Sequence, residues 1–396
     1  MQRMNPVSTN RRTSGCHAVR MPRLPRRITS DLTAVVAGLE SKLTERRRDL
    51  KVQLGAFRGV HVVVYRGYVA DDIAKVRVRV METPELPGDS RIPYWDVAQS
   101  NVRRHATLSI VGAEVELRVG EHRAIEVTDS HGFANFSLPV PKLRVGWHTA
   151  EAVAEAMGDD EPAVGTGWVM KPSLAAPYLV ISDIDDTILL TGLTEGVAMV
   201  ARTLLHAVEQ RSAIPGMAPF YRGLARGVES RTGNRRAEPT FFYVSTGSWS
   251  FYSMLEQFVE LRAFPPGPMF LTDWGPTERY LRRSGAEHKR AAVRRLFAAY
   301  PRMHFVVIGD SGQRDPLIYE EVAREFPGRV LAAIIRQVGA DDDERNVSLR
   351  DHAQTLRDEG IPMHLVADAG QAAELAYGLR LCDEDTVAET GAELNG

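Results

Sequence analysis

"YLVISDIDDTILLTG" (residues 178–192) runs an apolar stretch straight into Asp183, Asp185 and Asp186. Carboxylates this close repel one another and resist leaving water, so something must make them tolerable. The surroundings of the stretch decide the fold. Strand-like runs come after it at 241–245 ("FFYVS"), 269–272 ("MFLT"), 304–310 ("HFVVIGD"), 330–336 ("VLAAIIR") and 363–368 ("MHLVAD"). Helical patterns lie between them, around 249–262, 286–299, 315–326 and 369–379. Such alternation predicts an α/β fold with a parallel sheet and helices on both faces. Ligands of such a sheet bind at the carboxyl ends of its strands, which is where the acids stand.

Other strand ends carry chemistry too. "VSTGSW" presents Ser245 and Thr246 beside Gly247, hydroxyls and amides suited to phosphate oxygens, although Ser and Gly are also common turn formers. In "GAEHKRAAVRRLFAAY", Lys289 precedes Val293, Leu296 and Tyr300 by four, seven and eleven residues, so it shares the apolar stripe of its helix. A lysine there is unfavourable unless it snorkels or meets negative charge. "FVVIGDSGQRDPLIY" ends a strand with Asp310 and places Asp315 before Pro316, where it also suits a helix start.

An EF-hand loop counted from Asp183 would need Gly at its sixth position and Glu at its twelfth; the chain has Ile188 and Thr194. A glycosyltransferase-type metal pair remains open from "DID" alone. Taken with the other strand ends, a hard oxygen-ligated cation resolves the crowding. Asp183, Asp310 and a backbone carbonyl are expected to bind Mg²⁺, leaving waters and a phosphate oxygen to complete the octahedron. Lys289 and the metal together offset the repulsion.

The four elements, in this order, resemble the haloacid-dehalogenase superfamily of phosphotransferases. More narrowly, residues 178–336 are similar to the actin-patch-associated phosphatidate phosphatases of fungi and their bacterial relatives. The stretches that carry this are "SDIDDTI", "FFYVSTGSW", "FPPGPMFLTDWG", "EHK", "FVVIGDSGQRDPLIY" and "VLAAIIRQV". Lipin-type phosphatidate phosphatases share the DxDxT core. The resemblance implies a Rossmann-like sheet with Asp183 as nucleophile forming an aspartyl-phosphate and Asp185 as general acid and base. It implies that Thr187 shapes the turn, and that Ser245, Thr246 and Lys289 hold the phosphoryl oxygens. Asp183, Asp185, Asp310 and Asp315 would serve the Mg²⁺ site, and Asp186 a local turn or a supporting role. One departure stands out. The fungal Ser-Pro-Trp is here Gly247-Ser248-Trp249, which keeps Ser245 in place and changes the residues that would meet the rest of a substrate.

Outside this region the chain divides by pattern. Residues 1–29 hold seven arginines and no acid, which reads as a disordered arm without the apolar core of a secretory signal. Residues 30–50 predict an amphipathic helix, capped by Ser30 or Asp31. Residues 51–170 contain short β-branched runs and predict an accessory β-sandwich, with Asp129 and His131 as turn residues beside Gly132. The phosphatase-like domain is expected over 171–382. It includes a helical cap in an insertion at about 188–239, where Arg222 and Arg226 share a helix face; residues 383–396 read as a disordered tail.

The net charge of −2 gives no bias toward nucleic acid. Cys16 and Cys382 form neither a disulfide framework nor a metal cage, and no run is apolar enough to span a bilayer. A cytoplasmic protein, peripheral to a membrane when it meets lipid, is the expectation. The leading functional reading is a Mg²⁺-dependent phosphatase acting on phosphatidate. Two others compete with it: a phosphatase for a soluble phosphate ester, and a module that senses phosphatidate without hydrolysing it.

Overall fold

The computed structural model describes residues 59–82, 109–155, 161–189, 213–227, 237–272 and 278–395. The arginine-rich arm, the helix expected over 30–50 and the apolar run 196–210 of the insertion lie outside the described residues.

Two sheets make up the fold. The first is an eight-stranded mixed sheet built from β1 (Val60–Val64), β2 (Gly67–Ala70), β3 (Ile73–Glu82), β4 (Glu114–Val119), β5 (His122–Val127), β6 (Phe133–Pro139), β7 (Gly146–Ala154) and β8 (Ala163–Lys171). Its strands pair in the order β1-β3-β2-β8-β7-β4-β5, with β6 joined to β3. The structure thus links all eight strands through one hydrogen-bonded sheet. Alternation along β3, β4, β6 and β7 turns one set of side chains inward, where Val76, Val78, Leu117, Phe136 and Ala152 form an apolar core. The Asp129 turn behaves as the residues predict. Its Oδ1 accepts from the amides of His131 and Phe133, beside Gly132 at φ 76°.

The second sheet is parallel throughout. It comprises β9 (Leu179–Asp183), β10 (Phe241–Ser248), β11 (Met269–Thr272), β12 (Phe305–Asp310), β13 (Val330–Arg336) and β14 (Met363–Val366), in the order β11-β10-β9-β12-β13-β14. The chain leaves β9 toward one edge and then crosses to build the other, so the order reverses at β9. That reversal opens a crevice at the carboxyl ends of β9, β10 and β12. The strands are apolar on both sides because helices cover both faces. One face carries α1 (Met217–Arg226), α2 (Tyr252–Leu261) and α6 (Ala369–Gly378). The other carries α3 (Glu278–Ala299), α4 (Asp315–Glu325) and α5 (Glu344–Asp358).

Two expectations are corrected here. The described part of the insertion, α1, is a layer helix of the core: Phe220, Tyr221 and Leu224 are buried, and the Tyr221 hydroxyl meets Ser182 Oγ on β9 at 2.8 Å. It packs as a wall of the domain and does not cap the crevice. The tail is also ordered, as α7 (Glu384–Asn395) lying against α1. Asp383 caps it by accepting from the Thr386 amide at 2.9 Å, and Thr386 fits because Gly223 has no Cβ; one there would come within 2.1 Å of the threonine. Arg226 is exposed on α1 and pairs with Glu389 of α7 at 3.2 Å.

The turn between β1 and β2 joins the two sheets. Tyr65 packs against Trp249 and Tyr252, and Tyr68 against Phe242 and Phe270. Between them, buried Arg66 pairs with Glu256 at 3.0 Å, and its amide donates to the Tyr252 hydroxyl. Tyr300 at the end of α3 donates to the Val69 carbonyl. No helix among the described residues is long and apolar enough to cross a membrane.

Candidate active site

Asp183 is the last residue of β9 and fully buried. Beyond it the chain folds tightly. The amides of Thr187, Ile188 and Leu189 all turn back to the Ile184 carbonyl, and Asp186 takes a left-handed φ of 53°. This turn brings Thr187 Oγ1 to Asp183 Oδ2 at 3.1 Å, and Arg336 Nε secures it by donating to the Asp186 carbonyl at 2.9 Å.

The neighbouring strand ends deliver the other groups. Lys289 Nζ lies 2.7 Å from Asp183 Oδ1 and 2.6 Å from Asp315 Oδ1, all three side chains being buried. Asp315 reaches in from the start of α4, where its Oδ2 accepts from the Asp310 amide at 3.2 Å. Only glycine at 309 permits this, since a Cβ there would stand 2.5 Å from Asp315 Oδ2. Ser245, near the end of β10, donates to Asp185 Oδ2 at 2.6 Å, and its Oγ accepts from the Gly247 amide at 2.8 Å. The carbonyls of Thr246 and Gly247 accept from Thr272 Oγ1 at the end of β11.

Asp183, Asp310 and Asp315 therefore place one oxygen each within 4.8 Å of one another. The Asp185 carboxylate stands apart from that trio, turned to Ser245. Its backbone carbonyl accepts from Gln313 Nε2 at 3.2 Å. Fully ionised, the three carboxylates and one ammonium would carry two net negative charges. Asp310 Oδ2 is buried and has no hydrogen-bond partner among the described residues. An orphaned carboxylate oxygen, an all-oxygen donor set and an excess of two negative charges fit a hard divalent cation.

The electrostatics reflect that crowding. Burial raises Asp183 well above the ordinary carboxylate range; Lys289 opposes the shift, and Asp315, Asp310 and Asp185 reinforce it. Burial, then the charge of Asp315, pushes Asp310 up to about 7. Burial also raises Asp185, against the hydrogen bond from Ser245. For Lys289 burial works the other way, but Asp183 and Asp315 outweigh it and hold the ammonium above its usual value.

The nine residues given roles from the sequence, Asp183, Asp185, Asp186, Thr187, Ser245, Thr246, Lys289, Asp310 and Asp315, lie at or beside this carboxyl edge. Sequence reasoning missed Gln313. Its amide donates to Asp310 Oδ1 at 2.9 Å, its side chain bridges to the Asp185 carbonyl, and its Oε1 accepts from Lys289 at 3.4 Å. Its only signal was its place between two expected metal acids. Asn346 was missed as well. Its Oδ1 accepts from Ser311 Oγ at 2.9 Å, and its Nδ2 donates to the carbonyls of Val338 and Ala340. Asn346 thereby steadies the loop that carries Asp310. Arg336, the last residue of β13, is the clamp on the Asp186 turn.

Comparison with known proteins matches the same region. Residues 178–337 fit the family described as the catalytic domain of phosphatidate phosphatase APP1. That segment is similar to this family over about two fifths of the chain. The chain is 33% identical over 185 residues to phosphatidate phosphatase APP1 of Saccharomyces cerevisiae, covering 45% of this chain and 30% of the yeast protein. An uncharacterized protein of Schizosaccharomyces pombe is 28% identical over 163 residues, covering 41% of this chain and 25% of its own length. The chain thus spans under a third of the length of these relatives. A crystal structure of Parabacteroides merdae beta-glucuronidase aligns over 77% of this chain and 39% of that one, at 9% identity and a TM-score of 0.25, which carries no argument. The APP1-type segment begins at β9 and ends just past Arg336, so it contains every residue of the carboxylate cluster.

Proposed function

We propose that this protein is a Mg²⁺-dependent phosphatase of haloacid-dehalogenase type that hydrolyses phosphatidate through an aspartyl-phosphate on Asp183. The observation that carries the reading is the buried Asp183–Lys289–Asp315 arrangement beside Asp310, inside a segment of the APP1 catalytic-domain family.

Asp183, Asp310 and Asp315, with the Asp185 carbonyl close by, would hold the metal. Bound there, Mg²⁺ supplies positive charge against the developing charge on the phosphoryl oxygens. The remaining work falls to the chain. Asp183 attacks phosphorus as the bond to the leaving oxygen breaks, giving an acyl phosphate and an alcohol. Asp185, whose pKa burial raises, donates the proton that the leaving alkoxide needs. It then takes a proton from the water that attacks the acyl phosphate, restoring Asp183 and releasing phosphate. Ser245 and Thr246 offer donors to the equatorial oxygens, and Lys289 neutralises charge on the nucleophile side. Gln313 keeps Asp185, Asp310 and Lys289 in mutual register.

The test is phosphate release from phosphatidate in mixed micelles and from a small aryl phosphate, with Mg²⁺ or chelator. Wild type is expected to release phosphate only with Mg²⁺, and Asp183→Asn to lose at least about three orders of magnitude of that rate. Phosphatidate bound by both proteins and hydrolysed by neither would favour the sensing reading instead.

A further inference from the structure

A cavity of about 730 Å³ lies between the two sheets, outside the carboxylate cluster. It runs along the edge strand β11. Its floor is apolar, made by Tyr68, Phe136, Met269 and Phe270. Trp249, Leu271 and His288 also line the cavity. Each of these is tied by the chain to the site. Trp249 comes directly after the Ser245–Ser248 segment, Leu271 precedes the Thr272 that braces that segment, and His288 precedes Lys289. Ala298 and Ala299 of α3 line the cavity as well, Ala298 being exposed.

The wall is cationic. Lys75, Arg77 and Arg295 line it against one acid, Asp71. Lys75 donates to Ser137 and Arg77 to Asn135, and the Arg77 guanidinium also lies over the rings of Phe133 and Trp249. An apolar floor with a basic wall complements an anionic amphiphile, and a soluble sugar phosphate would leave that floor unmatched.

We infer that this cleft receives an acyl chain of the lipid phosphomonoester whose phosphate enters the strand-end site, so that the β-domain forms half of the substrate site. The inference rests on the phosphatase reading for the position of the phosphate, but the cleft can be tested without turnover. The occupant it commits to is a single aliphatic chain carried by an anionic headgroup.

The experiment uses the full chain and lysophosphatidate brominated on its acyl chain, below its micelle concentration, with indole fluorescence as readout. Saturable quenching is expected, most of it lost in Trp249→Phe. Ala298→Trp, which adds bulk to the lining from an exposed helix position, should raise the half-saturating concentration at least five-fold. Arg295→Glu, also exposed, provides a second variant and should weaken binding several-fold at low salt. In parallel, kcat/KM for long-chain phosphatidate should fall at least five-fold in both variants, with the aryl phosphate rate unchanged. Quenching that does not saturate, or is indifferent to Trp249→Phe and Ala298→Trp, overturns the inference; a cleft already filled by residues 1–58 would give that result. Saturable quenching without hydrolysis of either substrate would sink the phosphatase reading and leave the cleft standing. Hydrolysis of both substrates, with neither variant altering their ratio, would do the reverse.

Discussion

The two sheets bury different things. The eight-stranded sheet closes over valine, leucine, alanine and phenylalanine, and its few buried polar groups, Arg66, Glu82 and Thr128, lie outside that apolar core. The parallel sheet is as apolar along its strands, yet its carboxyl edge buries Ser182, Asp183, Ser245, Lys289, Asp310, Asp315 and Asn346. The first region is optimised for packing. The second gives up stability at one end to concentrate charge where it can act, a conflict between local rules and fold that is expected at functional sites.

The sharpest way to break this contrast is Lys289→Met. Removing the ammonium leaves Asp183, Asp310 and Asp315 buried together without a counter-charge, so the fold should lose about 3–5 kcal/mol at pH 7 in chelator. Added Mg²⁺ should recover part of that loss, and phosphatase activity should fall with or without it. Urea unfolding in both conditions reads the difference. Leu117→Ala, in the apolar sheet, should cost a comparable ~2–5 kcal/mol through the cavity it leaves. Mg²⁺ should not repair it, and activity per folded molecule should be unchanged. Equal rescue of both variants by Mg²⁺ would erase the distinction drawn between the sheets.

A subtler effect concerns pH. The folded state holds the Asp310 proton up to about 7, above the ordinary carboxyl value that applies when the chain unfolds. Between about pH 4 and 7 the native state therefore binds more protons than the unfolded one, and this group's contribution makes stability decline as pH rises. In chelator, the stability difference between wild type and Asp310→Asn should shift against wild type from pH 5 to pH 7.5. Saturating Mg²⁺ should remove that shift. Urea midpoints at the two pH values check it. The smallest change expected is Arg226→Ala. Its exposed pairing with Glu389 should contribute under about 1 kcal/mol, with no effect on phosphate release.

Much of the parallel domain was readable because its strands are continuous apolar runs of the right length. The runs at 269–272 and 330–336 match β11 and β13 residue for residue. Two strands of the other sheet were not readable. β7 ("GWHTAEAVA") and β8 ("AVGTGWVMK") are rich in alanine and glycine, residues with little strand preference of their own. They become strands by pairing with each other along nine residues. Helix α5 was hidden for a related reason. It buries only Asn346, Ala353 and Leu356, too sparse a stripe to stand out among its charges. The tail helix α7 buries just two threonines, and contacts with α1 and the Asp383 cap define it.

By itself the sequence determined which residue types end which strands, because an aspartate after an apolar run and a lysine on an apolar stripe are local violations visible in one dimension. Only the tertiary structure decided how those violations cancel. Lys289 sits 106 residues from Asp183 in the chain, and the sheet order brings its ammonium to 2.7 Å. The same holds for Gln313, Arg336 and the cleft beside β11. Each depends on which strand lies next to which, and strand adjacency is set by packing between residues far apart in the chain.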